Sequence, residues 1–186
     1  MKRILGKILI VLGICIIGLV LYLNYNTSKI NKQMVEEYRN AVKHEKIKND
    51  EYSIGDVIGV LTIPKINLEV AIKRGVDNKI LKDAVGHFEN TSMPGDYGNF
   101  AVAGHRAYTS NKFFSNLDEL QIGDEINVLS GNEQFKYKVN NIEVVTPDKV
   151  DVVDSTDKNK KEITLVTCTP KYIGSHRLVV KGEYTK

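Results

Sequence analysis

From Ile8 to Leu23 every residue is apolar, Gly or Tyr. With Ile4, Leu5, Gly6 and Lys7 the run reaches 20 residues, the length of a helix that crosses a hydrocarbon core. Lys7 lies near one end, where it can snorkel to the headgroups. Met1-Lys2-Arg3 place positive charge just before the run, which predicts a cytoplasmic N-terminus and an exported C-terminal part. The competing reading is a cleaved signal peptide. The run is long for one and closes on Leu21-Tyr22-Leu23-Asn24-Tyr25-Asn26, without a small-x-small cleavage site. Residues 1–24 are therefore expected to be an uncleaved, single-pass anchor in the cell membrane. Residues 25–53 are polar and lack Pro and Gly, and Ile30, Met34, Tyr38 and Val42 recur at every fourth position. That thin stripe predicts a juxtamembrane helix or linker.

Beyond Ile54 the pattern turns to short β-rich runs cut by turn residues. Val57–Ile63 is a strand closed by Pro64; Glu69–Lys73 is a second, ending before Gly75. Asn78–Ala84 reads as one or two helical turns, Asn99–Ala103 as a buried strand, and Ser110–Leu120 as room for a short helix. Glu125–Leu129 and Gln134–Val145 flank Ser130-Gly131-Asn132, a hairpin signal. Residues 147–161 read as a loop; Ile163–Thr167 and Arg177–Glu183 are the last strands. The expectation is a mainly β domain over 54–186, a closed or nearly closed barrel of seven or eight strands with short helices.

Composition narrows the function classes. The chain has 186 residues, 42% hydrophobic and 26% charged, which excludes a disordered chain, a fibrous repeat and a polytopic membrane protein. Residues 1–50 carry nine Lys/Arg against four Asp/Glu, and residues 51–186 carry seventeen against nineteen. The positive balance thus belongs to the N-terminal part, and the β domain has no electrostatic footprint for nucleic acid. Only Cys15 and Cys168 are present, which excludes a disulfide scaffold and a Cys-rich zinc site.

Cys15 falls in the predicted membrane span, so Cys168 is an unpaired cysteine in an exported domain. A buried, inert Cys is the plain alternative to a reactive thiol. Cys168 ends the β-branched run Glu162–Cys168, and a strand end holds a nucleophile rigidly. Among the four histidines, His44 lies in the polar linker, and His87 and His176 lie at strand or loop edges. His105 follows the buried strand and Gly104, which favours it as the partner of a thiol. Residues 51–186 hold only Arg74, Arg106 and Arg177 against fourteen lysines. Period-2 alternation places Arg177 on the face of Val179, either as a solvated strand-end cation or lining a groove.

Thr164-Leu165-Val166-Thr167-Cys168, followed by Arg177 in His176-Arg177-Leu178-Val179-Val180, resembles the signature of sortases, the membrane-anchored transpeptidases of Gram-positive surfaces. Gly86-His87, Met93-Pro94-Gly95, Gly98-Asn99 and Ala103-Gly104-His105-Arg106 resemble that family's run into its catalytic histidine, and the likeness extends over 57–184. The resemblance implies a sortase-like barrel and a cysteine transpeptidase. Cys168 would attack the Thr–Gly carbonyl of an LPxTG-like sorting signal on a surface protein and form a thioacyl enzyme. His105 would serve as acid and then base, Arg177 would bind substrate backbone or oxyanion, and Thr167 would help position the substrate. The acceptor would be an amine of a cell-wall precursor.

No cofactor is required by this scheme. Asp148, Asp151, Asp154 and Asp157 recur where some relatives bind calcium, but Lys149 and Lys158 to Lys161 interleave with them and EF-hand spacing is absent. A solvated loop is the expectation, with no metal site. Thr169-Pro170 and His176 resemble pilin-polymerising members, which use a lysine acceptor. The missing Asp-Pro-aromatic lid and the lack of a second apolar span after Tyr184 favour wall anchoring. A hydrolytic cysteine peptidase with the same dyad, and a tethered non-enzymatic adaptor in which Cys168 is mere core, are the readings from other classes.

Overall fold

The computed structural model describes residues 2–44, 52–106 and 113–185. A single helix, α1 (Lys2–Lys43), leads into eight strands: β1 (Val57–Ile63), β2 (Leu68–Arg74), β3 (Val85–His87), β4 (Gly98–Ala103), β5 (Glu125–Ser130), β6 (Glu133–Val145), β7 (Lys161–Thr169) and β8 (His176–Tyr184). A short helix, α2 (Asn78–Leu81), precedes β3. The strands close into a barrel in the order β1-β2-β3-β4-β7-β8-β6-β5. The expected mainly β barrel, closed or nearly closed with seven or eight strands and short helices, forms with eight strands and is closed.

The barrel wall follows from alternation. Phe100 and Val102 of β4, Ile163 and Leu165 of β7, and Leu178 and Val180 of β8 point inward and join one buried core with Ile58, Leu61, Ile72 and Ile126. Each fully buried side chain of this size stabilises by roughly 1.5–3 kcal/mol relative to exposure. The residues between them face outward. Val166 and Val179 pack there against Val145 and against Val152 of a 3-10 turn at Val150–Val153. The loop expected over 147–161 therefore contains one turn that rests on the outer wall. The helix expected within 110–120 reduces to a 3-10 turn at Leu117–Glu119, and residues 110–112 lie outside the described part.

Helix α1 is exposed along its apolar half, the one helix among the described residues long and apolar enough to cross a membrane. Its second half is docked. Val35 and Tyr38 are buried against Val60 and Ala71, outward-facing residues of β1 and β2, with Met34 and Val42 alongside. The Tyr38 hydroxyl donates to the Ile58 carbonyl (3.0 Å) and accepts from the Gly131 amide (2.9 Å). Asn31 Nδ2 donates to the Asp83 carbonyl (3.2 Å), and Arg39 pairs with Glu69.

Candidate active site

Cys168 and Arg177 lie on the adjacent strands β7 and β8, and His105 lies two residues past the end of β4, on the other side of β7. β4 and β7 pair in parallel with Ala103 level with Val166. The Gly104 amide extends that ladder by donating to the Val166 carbonyl (3.1 Å). Counting two residues on from each partner sets His105 level with Cys168. On the other side of β7, antiparallel β8 places Arg177 directly opposite Cys168. Parity puts all three on one face. Ala101 and Ala103, Thr164 and Val166, and Val179 occupy outward positions, and His105, Cys168 and Arg177 continue those rows. His105 is exposed; Cys168 and Arg177 are partly buried. The thiol thus sits on the outer barrel wall near its rim, between an imidazole and a guanidinium.

The segment joining β7 to β8 folds back over the thiol. Gly174, at φ +67°, approaches so closely that a Cβ there would lie 3.6 Å from Cys168 Cβ. Arg177 Nη1 donates to the carbonyls of Gly174 (3.1 Å) and His176 (3.0 Å). The guanidinium therefore braces this turn beside the cysteine.

Thr167, expected to help position the substrate, has its side chain inside the wall. It alternates to the opposite face from Cys168 and is buried at 3% exposure, and its hydroxyl donates to the Gly104 carbonyl (2.8 Å). Its side chain ties β7 to the residue that precedes His105. The other histidines fall elsewhere. His44 is exposed at the end of α1. His176 is exposed, with Ser175 Oγ 2.9 Å from its Nδ1. His87 is inside the barrel, stacked 5.0 Å from Phe100, and Nε2 meets Thr91 Oγ1 and the Ser92 carbonyl. Burial holds its pKa below the ordinary histidine value, so it stays neutral.

Two residues that the sequence did not single out for the site hold it together. Arg106, whose side chain is 6% exposed, donates through Nη1 to Thr169 Oγ1 (3.0 Å) and to the Cys168 carbonyl (3.5 Å), through Nε to the Ser115 carbonyl (3.4 Å), and pairs with Asp118 (2.7 Å). It bridges the strand end bearing His105 to the one bearing Cys168. Asn99, also buried, donates to the Val153 carbonyl (2.7 Å) and accepts from Thr164 (3.0 Å). That fastens the Val150–Val153 turn to the wall. Between this turn and Val166 and Arg177 lies a groove of about 410 Å³, also bordered by Phe88, Val150 and Val152 and reaching the row at Arg177 alone. Among the described residues no group of three or more His, Cys, Asp or Glu is gathered closely enough to hold a metal ion.

A family model for the sortase domain matches residues 61–185. The chain belongs to the sortase family. It is 34% identical to sortase A of Bacillus anthracis over 159 residues, 85% of this chain and 70% of the relative. It is 27% identical to sortase D of Bacillus subtilis over 98% of both chains. Among solved structures, a sortase D5 transpeptidase of Clostridium perfringens superimposes with a TM-score of 0.76 at 36% identity, covering 85% of this sortase and 99% of that chain. Sortases are cysteine transpeptidases, so an enzyme of that class is the coarse identity here. The long N-terminal helix is consistent with a single-pass anchor.

Proposed function

We propose that this sortase cleaves an LPxTG-like sorting signal between Thr and Gly and joins the upstream protein to an amine of a cell-wall precursor. The observation that carries this reading is the register that aligns His105, Cys168 and Arg177 on one outer face beside a groove. The Cys168 thiolate attacks the Thr carbonyl carbon, and Arg177 stabilises the oxyanion that forms. The C–N bond breaks as His105 delivers a proton to the departing glycine amine, leaving a Cys168 thioester. The acceptor amine then attacks that carbonyl, His105 takes its proton, and the C–S bond breaks to release the thiolate. Thr167 and Arg106 are positioning residues in this scheme. The catalytic part lies outside the cytoplasm and meets its substrates at the membrane.

The test is partition of the acyl group. Residues 51–186 are incubated with quenched peptides carrying LPxTG-like motifs, with and without an oligoglycine or diamino-acid amine. Ligated product that grows with added amine at the expense of hydrolysed product supports the transpeptidase. Cleavage indifferent to amine identifies a hydrolytic peptidase, and a product joined through a pilin lysine in preference to either amine identifies the polymerising alternative.

Arg106 gives a separate prediction. Arg106→Met keeps the length of the side chain and removes every donor, freeing the two strand ends to drift. Because a misplacement near 1 Å costs on the order of 100-fold in rate, kcat is expected to fall by roughly 10- to 100-fold with KM little changed. Arg106→Lys, which retains the charge facing Asp118, is expected to recover part of the loss. A rise in KM at constant kcat would instead place Arg106 at the substrate.

A further inference from the structure

Strand directions define a catalytic rim. β1 runs antiparallel to β2, β2 parallel to β3, β3 antiparallel to β4, and β4 parallel to β7. β1, β4 and β7 therefore point the same way, and their C-terminal ends, with Ile63, Ala103 and Cys168, meet at one rim. The hairpin residue Asn67 lies on this rim. The opposite end carries Ile58 and the β5–β6 hairpin at Gly131 and Asn132.

Helix α1 crosses β1 and β2 in the reverse sense. Its earlier residues Thr27, Ser28 and Lys32 border Asn67 and Leu68, and Asn31 reaches Asp83, just before β3 enters from the rim. Seven residues further on, Tyr38 reaches Ile58 and Gly131 at the far end, about 10 Å along the helix axis at 1.5 Å per residue. A chain leaving the membrane therefore meets the catalytic rim first.

The spacing sets the height. Thr27 is four residues past Leu23, the end of the apolar run, which is about 6 Å of helix and comparable to one headgroup layer. Exposed Tyr22 and Tyr25 suit the interface. Lys29, Lys32 and Lys65 are exposed at the same level, where an anionic headgroup surface attracts them. From Leu19 to Lys43 the helix contains no Gly or Pro, the two residue types at which helices commonly kink.

We propose that α1 is a strut, not a tether, and that it holds the rim bearing His105, Cys168 and Arg177 against the headgroups of an anionic bilayer. Acceptor and donor would then be engaged while still held in the membrane. That consequence rests on the transpeptidase reading, whereas the orientation does not.

The test uses the full chain with Cys15→Ser and Cys168→Ala, reconstituted in phosphatidylglycerol–phosphatidylcholine vesicles that carry a headgroup nitroxide. A fluorophore is placed at Asn67→Cys on the rim or at Asn132→Cys on the far end, both exposed positions. Quenching is expected to be several-fold stronger at 67 than at 132. Equal quenching, or stronger quenching at 132, overturns the proposal. Inserting Gly-Gly-Ser-Gly between Asn26 and Thr27 is expected to erase the difference, and persistence of the full difference would show that the helix is not what sets the orientation. A failed peptide assay with Cys168 intact would sink the transpeptidase reading and leave this readout unaffected.

Discussion

Cys168→Ala is expected to reduce cleavage of a sorting-signal peptide to the uncatalysed background, and His105→Ala to reduce it by roughly 100- to 10,000-fold, the range of a positioned general acid–base group. The two variants should differ in a second measurement. Alkylation of Cys168 needs an accessible thiol in its thiolate form but no general acid for a leaving amine, and Cys168 is partly exposed on the outer wall. His105→Ala should therefore still be alkylated at one residue per chain in the isolated barrel domain, although its turnover is lost. Register carries the pairing: Gly104 continues the β4–β7 ladder by one hydrogen bond, and His105 is the next residue. Full turnover by His105→Ala would remove the imidazole from the mechanism, turnover by Cys168→Ala would remove the thiol from it, and no cleavage by the wild type together with an unreactive Cys168 would return the chain to the adaptor reading.

Much of this arrangement was legible before the structure because it is built from local signals. Pro64 closes β1 at the expected residue, and Ser130-Gly131-Asn132 turns β5 into β6, with Gly131 at φ +55°. Alternation along Ile163–Thr167 and Arg177–Glu183 correctly assigned Arg177 to the face of Val179. β3 escaped because Val85-Gly86-His87 is three residues long, lacks an apolar pattern, and is a strand only through its neighbours β2 and β4. Gly86 shows why pattern failed there: a Cβ on it would lie 2.3 Å from the Gly75 carbonyl oxygen, a constraint set by packing and invisible along the chain. The stripe Ile30, Met34, Tyr38 and Val42 announced a helix, but its cover is the outer face of β1 and β2, and a tertiary contact of this kind leaves no local mark. Arg106 has two signals, its place beside His105 in the Ala103–Arg106 run and its being among three arginines in a domain with fourteen lysines. Its four-way bridge requires a fork of donors that lysine lacks. The bond from Thr167 to Gly104 is not legible along the chain: Thr167 adjoins the nucleophile in sequence, and adjacency along a strand means opposite faces.

Arg177→Ala is expected to lower kcat/KM by roughly 100- to 1,000-fold, the cost of removing one donor aimed at a developing oxyanion. Arg177→Lys should recover little of it. The two observed bonds both leave from Nη1 and run to the carbonyls of Gly174 and His176, so the fork that braces the turn over Cys168 also presents its remaining edge to the groove. A lysine ammonium is a single point charge and cannot span both tasks. If the guanidinium served only as a positive charge beside the thiol, lysine would restore most of the rate. If it served only as a brace, alanine would disorder the turn, and the rate would fall together with the urea midpoint. Loss expressed mainly in kcat, with Lys ineffective, is the outcome that assigns Arg177 to the transition state. The same variants can be read for stability: Arg177 is partly exposed and its partners are backbone carbonyls, so each lost hydrogen bond is worth only about 1 kcal/mol. A loss of no more than about 2 kcal/mol in urea unfolding for the two bonds, beside a kinetic defect of roughly 100- to 1,000-fold, would separate a chemical role for Arg177 from a structural one.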